Sequence, residues 1–193
     1  MYGQNNGRWI RPPYSALLFE STGDGNPLFP NIQILHFPAL HRYRQEDEFF
    51  RILLSPTLET YSMPYHSTAD TLRESLARIA VVCRHLQHIH IHSQSWCPPL
   101  DISLEGFQSL RSVYIGLTSS YGSALRMLNS LVRLECLQVT FHNDSGLNGP
   151  LQSPNFPMLH VLRIDGVHEH TFRQLISSLT APLTTVHANI IGG

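Results

Sequence analysis

Apolar residues recur along this chain in a six-residue pattern: a leading Leu or Ile is followed by apolar residues at the fourth and sixth positions. Successive leading positions are 26, 28, 24, 24, 25 and 24 residues apart. Seven unbroken occurrences at near-constant spacing argue against chance. The seven hexads are Ile32–Leu35–Phe37, Leu58–Tyr61–Met63, Leu86–Ile89–Ile91, Leu110–Val113–Ile115, Leu134–Leu137–Val139, Leu159–Leu162–Ile164 and Leu183–Val186–Ala188.

The hexads predict short strands with one apolar and one polar face. Their fourth and sixth positions lie two residues apart, so on a strand both side chains point to the same side. The residues between them are mostly polar: His36, Ser62, His90, Tyr114, Gln138, Arg163 and His187. A period of about 20–29 residues is typical of leucine-rich repeats. The pattern therefore predicts an α/β leucine-rich-repeat solenoid of about seven units. It would be right-handed and curved, with a parallel inner sheet and outer helices.

Helical spacing of apolar residues fills several intervals between the hexads. Stripes of period three to four occur within residues 67–83 and 172–179, and weaker ones within 49–54 and 125–131. Residues 92–106 and 142–156 are rich in Pro, Gly, Ser and Asn and are expected to form loops or a single helical turn. The expected organisation is an irregular N-terminal segment, 1–27, followed by one repeat domain, 28–193.

Composition narrows the classes of partner and compartment. The formal net charge is −1, and thirteen basic residues are scattered singly among fourteen acidic ones. Nucleic-acid binders need clustered positive charge, so no nucleic-acid partner is expected. No apolar run resembles a signal peptide or a membrane span. Three widely spaced cysteines form neither a disulfide framework nor a paired zinc motif. An intracellular protein, cytoplasmic or nuclear, is expected.

Several runs at the predicted strand entries resemble a known family. LFPNIQILHF, LLSPTLETYSM, NFPMLHVLRI and EHTFRQLISSLTAPLTTV are similar to the leucine-rich repeats of F-box-like proteins of mushroom-forming fungi. The resemblance covers about residues 28–190. It implies a substrate receptor of a cullin-based ubiquitin ligase, in which an N-terminal F-box docks the adaptor and the repeats hold the target.

The N-terminus departs from that family. Residues 1–27 are too short, and too rich in Gly, Pro and Asn, to form a three-helix F-box. This argues against contact with a cullin adaptor and leaves the substrate-recognition half. The chain is interpreted as a fragment of a longer architecture, a truncated product without selected function, or a repeat-only relative.

Histidines form the sharpest chemical motif. Within residues 85–92, His88, His90 and His92 alternate, so a strand places all three on one face about 6.8 Å apart. Such a strand can supply two imidazoles to zinc. A metal-binding or hydrolytic protein is therefore an alternative, although solvent-facing histidines are the simpler interpretation. His168 and His170 lack the His-Glu-x-x-His spacing of zinc proteases.

The chain contains no nucleophile-elbow or phosphate-loop motif. No catalytic residue, resident metal or cofactor is therefore expected. The remaining candidate is the polar face of the predicted sheet, which would be concave. Tyr and Arg are enriched at binding hot spots. The hypothesis is a protein-binding patch formed by His36, His88, His90, Tyr114, Gln138, Arg163 and His187.

Overall fold

A computed structural model of the chain describes residues 27–36, 53–63, 69–91, 104, 106–117, 128, 130–141 and 155–191. The expected N-terminal segment lies outside this set except for its last residue. The expected helices at 49–54 and 125–131 lie largely outside it, and the two expected loops, 92–106 and 142–156, lie almost wholly outside it.

Seven strands form one sheet in which every neighbouring pair is parallel. The spatial order equals the chain order from the first strand to the seventh. Because adjacent parallel strands need a crossover of a dozen or more residues, the spacing of about 25 residues is what allows this order. The strands are β1 (Ile34–His36), β2 (Thr60–Met63), β3 (His88–Ile91), β4 (Ser112–Leu117), β5 (Cys136–Phe141), β6 (Val161–His168) and β7 (Thr185–Ile191). Each hexad supplies one strand, so the predicted α/β class and parallel sheet are confirmed.

The hexad positions form the core in lateral rows. Leading leucines of the five middle units are at most 1% exposed: Leu58, Leu86, Leu110, Leu134 and Leu159. Fourth positions of the same units are equally buried: Tyr61, Ile89, Val113, Leu137 and Leu162. Complete burial of one such side chain contributes about 1.5–3 kcal/mol, so the stacking of units stabilises the sheet unit by unit.

A repeated turn precedes each of the first six strands. The backbone N–H of the leading residue donates to the carbonyl three residues earlier, at 3.1–3.4 Å. The pairs run from Ile32 with Phe29 to Leu159 with Phe156. Hydroxyl groups join successive units near these turns. Thr57 Oγ1 donates to the Ile32 carbonyl at 3.0 Å, and Ser109 Oγ donates to the Arg84 carbonyl at 3.1 Å.

Two helices occur among the described residues, α1 (Ala69–Val82) and α2 (Glu169–Ser178). Helix α1 buries Leu72, Leu76 and Ile79, as its apolar stripe predicts. Helix α2 begins with Glu169, whose negative charge suits a helix N-terminus. Neither helix has the length and apolar composition that a membrane crossing by a helix requires.

A bulge at Gly166 determines which residues of β6 face the core. The register with β7 shifts between Asp165 and Val167, and Gly166 has a φ of 77°. A Cβ at this position would overlap the carbonyl oxygen of Phe141, so a side chain is excluded by space as well as by conformation. The extra residue returns Val167, which is fully buried, to the core face.

The last hexad does not behave as predicted. Val186 is 43% exposed and Ala188 is also exposed, although both were expected in the core. The physical reason is that β7 has a neighbouring strand on one side only in the described sheet. The apolar side chains of β7 therefore have no further strand of the described sheet beside them.

Candidate functional site

The predicted binding residues share the polar face of the sheet. The residues at the fifth position of each hexad, between the two core positions, are paired from strand to strand and form one lateral row. In order, the row is His36, Ser62, His90, Tyr114, Gln138, Arg163 and His187. His88 belongs to the adjacent row, where it is paired with Thr60 and Ser112. The structure therefore brings all seven predicted residues to one face, and Ser62 completes their line.

Exposure varies along this row. His36, Arg163 and His187 are exposed, whereas His90, Tyr114 and Gln138 are half-buried, and Ser62 is only 5% exposed. The middle of the row is thus held by its neighbours, while its two ends project into solvent. Half-buried side chains have less conformational freedom to lose on contact with another molecule than fully exposed ones.

An aromatic contact marks the centre of the face. The rings of His90 on β3 and Tyr114 on β4 have centroids 5.7 Å apart and are inclined by 41°. The separation and tilt lie in the range of favourable aromatic pairs. Because the two residues are directly paired in the sheet, this is a cross-strand pair of the kind that stabilises sheets.

The middle of the face carries no Arg, Lys, Asp or Glu side chain. The outward-facing positions of β2 to β5 are Thr60, Ser62, His88, His90, Ser112, Tyr114, Gly116, Cys136, Gln138 and Thr140. Among the outward positions of the described sheet, charge first appears on β6, at Arg163 and Asp165. The centre is therefore a hydrogen-bonding surface with a few aromatic and small side chains, not an ionic one.

A second polar row, which was not predicted from the sequence, borders this face. It consists of the second position of each hexad: Gln33, Glu59, Gln87, Arg111, Glu135, His160 and Thr184. Backbone hydrogen bonds of 2.8–2.9 Å link each member to the next. Arg111 and Glu135 form an ion pair with Nη1 and Oε1 3.4 Å apart. All seven members are polar, a signal that would have identified the row.

The structure gives no support to a metal centre within its described part. There, no group of three or more His, Cys, Asp or Glu side chains is arranged to hold a metal ion. His88 and His90 lie on one face as predicted, whereas His92 lies outside the described residues. His168 ends β6 and His170 lies on α2, so these two do not share a helix.

Cys83 is buried between units and away from the polar face. Burial raises the pKa of its thiol from 9.0 to about 12, and a hydrogen bond with the Ser55 backbone opposes the rise only in part. The thiolate is the nucleophilic form of cysteine, so Cys83 is a packing residue. Cys136, by contrast, is half-exposed on the polar face.

A cleft of about 440 Å³ opens between the turns that precede β4 and β5. It is lined by Phe107–Leu110 and Ser130–Arg133. None of the seven predicted residues borders it, so the cleft and the polar face are separate features.

Comparison with known proteins finds no match to this chain among family models, curated proteins or solved structures. The polar face is therefore interpreted from its own residues.

Proposed function

We propose that the repeats form a curved leucine-rich-repeat solenoid whose polar sheet face is concave and binds another protein without catalysis. The observation that carries the proposal is the continuous row from His36 to His187, with one outward side chain from each of seven strands. Repeat solenoids bind partners on extended surfaces of this kind.

The chemistry of the row favours a protein partner. A phosphate backbone needs clustered cations, whereas the outward positions of β2 to β5 hold no Arg or Lys. Tyr114 and Arg163 are side chains of the types that dominate binding energy at protein interfaces. His90 and Gln138, which flank Tyr114 in the row, offer hydrogen-bond donors and acceptors. The preferred partner is therefore a polypeptide segment that presents uncharged polar and apolar groups to the centre.

The family resemblance extends this proposal to a biological setting. If the repeats act like those of F-box-like proteins, the partner is a target of ubiquitin transfer held by the polar face. The free thiols of Cys83 and Cys136 are typical of a reducing compartment, which supports an intracellular location as part of the proposal.

The deciding experiment is affinity capture of partners from the native cell with matched variants. Arg163→Ala removes an exposed arginine from the face, and Arg84→Ala removes an exposed arginine from the turn before β3. Tyr114→Ala removes a ring that Tyr114→Phe retains. A hot-spot truncation costs about 2 kcal/mol or more, which weakens binding about thirtyfold.

We expect Arg163→Ala and Tyr114→Ala each to weaken capture of the same partner about thirtyfold or more, while Arg84→Ala retains it. Unchanged capture with both face variants would remove the proposal. Equal loss with Arg84→Ala would point to general destabilisation, which thermal unfolding of the three variants distinguishes.

A further inference from the structure

Every basic side chain of this chain, histidines aside, is an arginine. The combined count of Lys and Arg is thirteen, and all thirteen are Arg, so the 193 residues contain no lysine. Lysine is among the commonest residues of ordinary proteins. If each position took either cation equally often, thirteen arginines without a lysine would arise about once in ten thousand chains.

The fold does not require guanidinium groups at several of these positions. Arg84 and Arg133 are exposed at the turns before β3 and β5. Neither side chain forms an ion pair or hydrogen bond with another residue in the described ranges. Arg111 meets Glu135 through a single nitrogen–oxygen contact, which an ammonium group makes equally well. Lysine would satisfy the structure at all three positions.

One arginine does use its planar fork. Arg173 donates from both Nε and Nη2 to the Glu169 carboxylate one helical turn away, a geometry that lysine does not reproduce. Because Arg84, Arg111 and Arg133 lack such a geometry, hydrogen bonding explains the choice of arginine over lysine at only some positions. The difference between the two residues that remains to explain the absence of lysine is its nucleophilic primary amine.

We infer that the side chains of this chain are refractory to acyl transfer onto lysine, above all to conjugation of ubiquitin-type modifiers. In that reaction a lysine amine attacks the thioester carbon at the modifier's C-terminus. The carbon–sulfur bond breaks, the thiol leaves, the amine loses a proton, and an isopeptide bond forms. Arginine does not serve as the acceptor because its guanidinium stays protonated at physiological pH. The side chains of these 193 residues offer no amine for this step.

If the chain has the proposed function, on which this part of the inference rests, the absence of lysine directs modification to the bound target and away from the repeat domain. A module that holds a target beside transfer machinery is itself the nearest source of acceptor amines. A lysine-free module leaves the bound target as the acceptor. The repeat domain would then persist while the protein that it presents is modified.

The test introduces lysine where the structure tolerates it. The double variant Arg84→Lys/Arg133→Lys is compared with Arg84→Gln/Arg133→Gln and with the unmodified chain, all carrying a lysine-free affinity tag. Each is produced in a eukaryotic cell with tagged ubiquitin, purified under denaturing conditions with and without proteasome inhibition, and followed after translation arrest. Thermal unfolding of the three proteins checks that the substitutions leave the fold intact.

We expect ubiquitin conjugates and a shortened half-life only for the lysine variant, with the half-life restored by proteasome inhibition. Conjugates on the unmodified chain, or none on the lysine variant, would overturn the inference. An equally shortened half-life for the glutamine variant would also overturn it, because the loss of arginine would then be the cause. Both substituted sites lie at turns, so partner capture by these variants reports the proposed function separately.

Discussion

His90 and Tyr114 are direct partners across β3 and β4, and their ring centroids are 5.7 Å apart. The pair lies at the middle of the seven-strand row and on the part of the face that holds no Arg, Lys, Asp or Glu. The rings join neighbouring strands and are also presented on the outward face. Their contribution to stability and the proposed contribution to binding can be measured separately.

A double-mutant cycle on this pair should show a small favourable coupling. His90→Ala, Tyr114→Ala and the double variant are compared by urea denaturation, and cross-strand pairs contribute roughly 0.2–1 kcal/mol. We expect the two single losses to sum to more than the loss in the double variant. Strict additivity would show that the contact between the rings contributes nothing to stability.

The loss of stability on truncation of a leading leucine should depend on whether its strand lies in the middle or at the end of the sheet. Leu86→Ala, Leu110→Ala or Leu134→Ala removes a side chain that is at most 1% exposed and should each cost about 2–5 kcal/mol. Leu183→Ala is the matched control, since Leu183 has the same position in the hexad but is only partly buried. Its smaller loss in chemical denaturation would reflect the open side of β7, and an equal loss would contradict that interpretation.

Gly166→Ala should destabilise the chain by about 2 kcal/mol or more. The left-handed conformation alone costs a side chain about 1–2 kcal/mol, and the new Cβ would also overlap the Phe141 carbonyl oxygen. Gly106→Ala provides the comparison, because its Cβ would meet the Ala80 methyl group, a side-chain atom, and not backbone. Thermal unfolding should therefore rank Gly166→Ala below Gly106→Ala, and the reverse order would show that the bulge adapts.

Cys83 should resist thiol reagents in the folded chain. In a Cys97→Ser background at pH 8, we expect Cys136 to react with a thiol-exchange reagent and Cys83 to react only after unfolding. The reason is that burial removes access to Cys83 and raises the pKa of its thiol to about 12. Two fast-reacting thiols in the native protein would contradict this placement.

The same thiol predicts a loss of stability at high pH. The folded pKa lies above the unfolded value of 9.0, so the folded state holds the proton more tightly. The contribution is complete below pH 9 and is lost as the pH rises from 9 towards 12. The check is the free energy of unfolding across this window, compared with Cys83→Ala, which should lack this part of the slope. Parallel profiles for the two proteins would refute the assignment.

The period of the hexads determined the class of the fold without any tertiary information. Side-chain alternation on a strand and the length of a crossover are local properties, so Leu86, Ile89 and Ile91 already predict a buried strand followed by a return. The same alternation placed Tyr114 and Arg163 on the polar face. The stripe at Leu72, Leu76 and Ile79 likewise predicted α1, because helical periodicity is local too.

Tertiary structure decided the features that depend on contacts between residues far apart in the chain. The lateral pairing of His90 with Tyr114 follows from the relative register of two strands that lie 24 residues apart along the chain, and spacing alone does not fix that register. The exposure of Val186 follows from the absence of a second neighbour for β7 in the described sheet. The bulge at Gly166 depends on the backbone of Phe141 in the previous unit. Sequence pattern specifies which residues prefer a strand or a face, whereas burial, pairing and close approach are properties of residues brought together from distant parts of the chain.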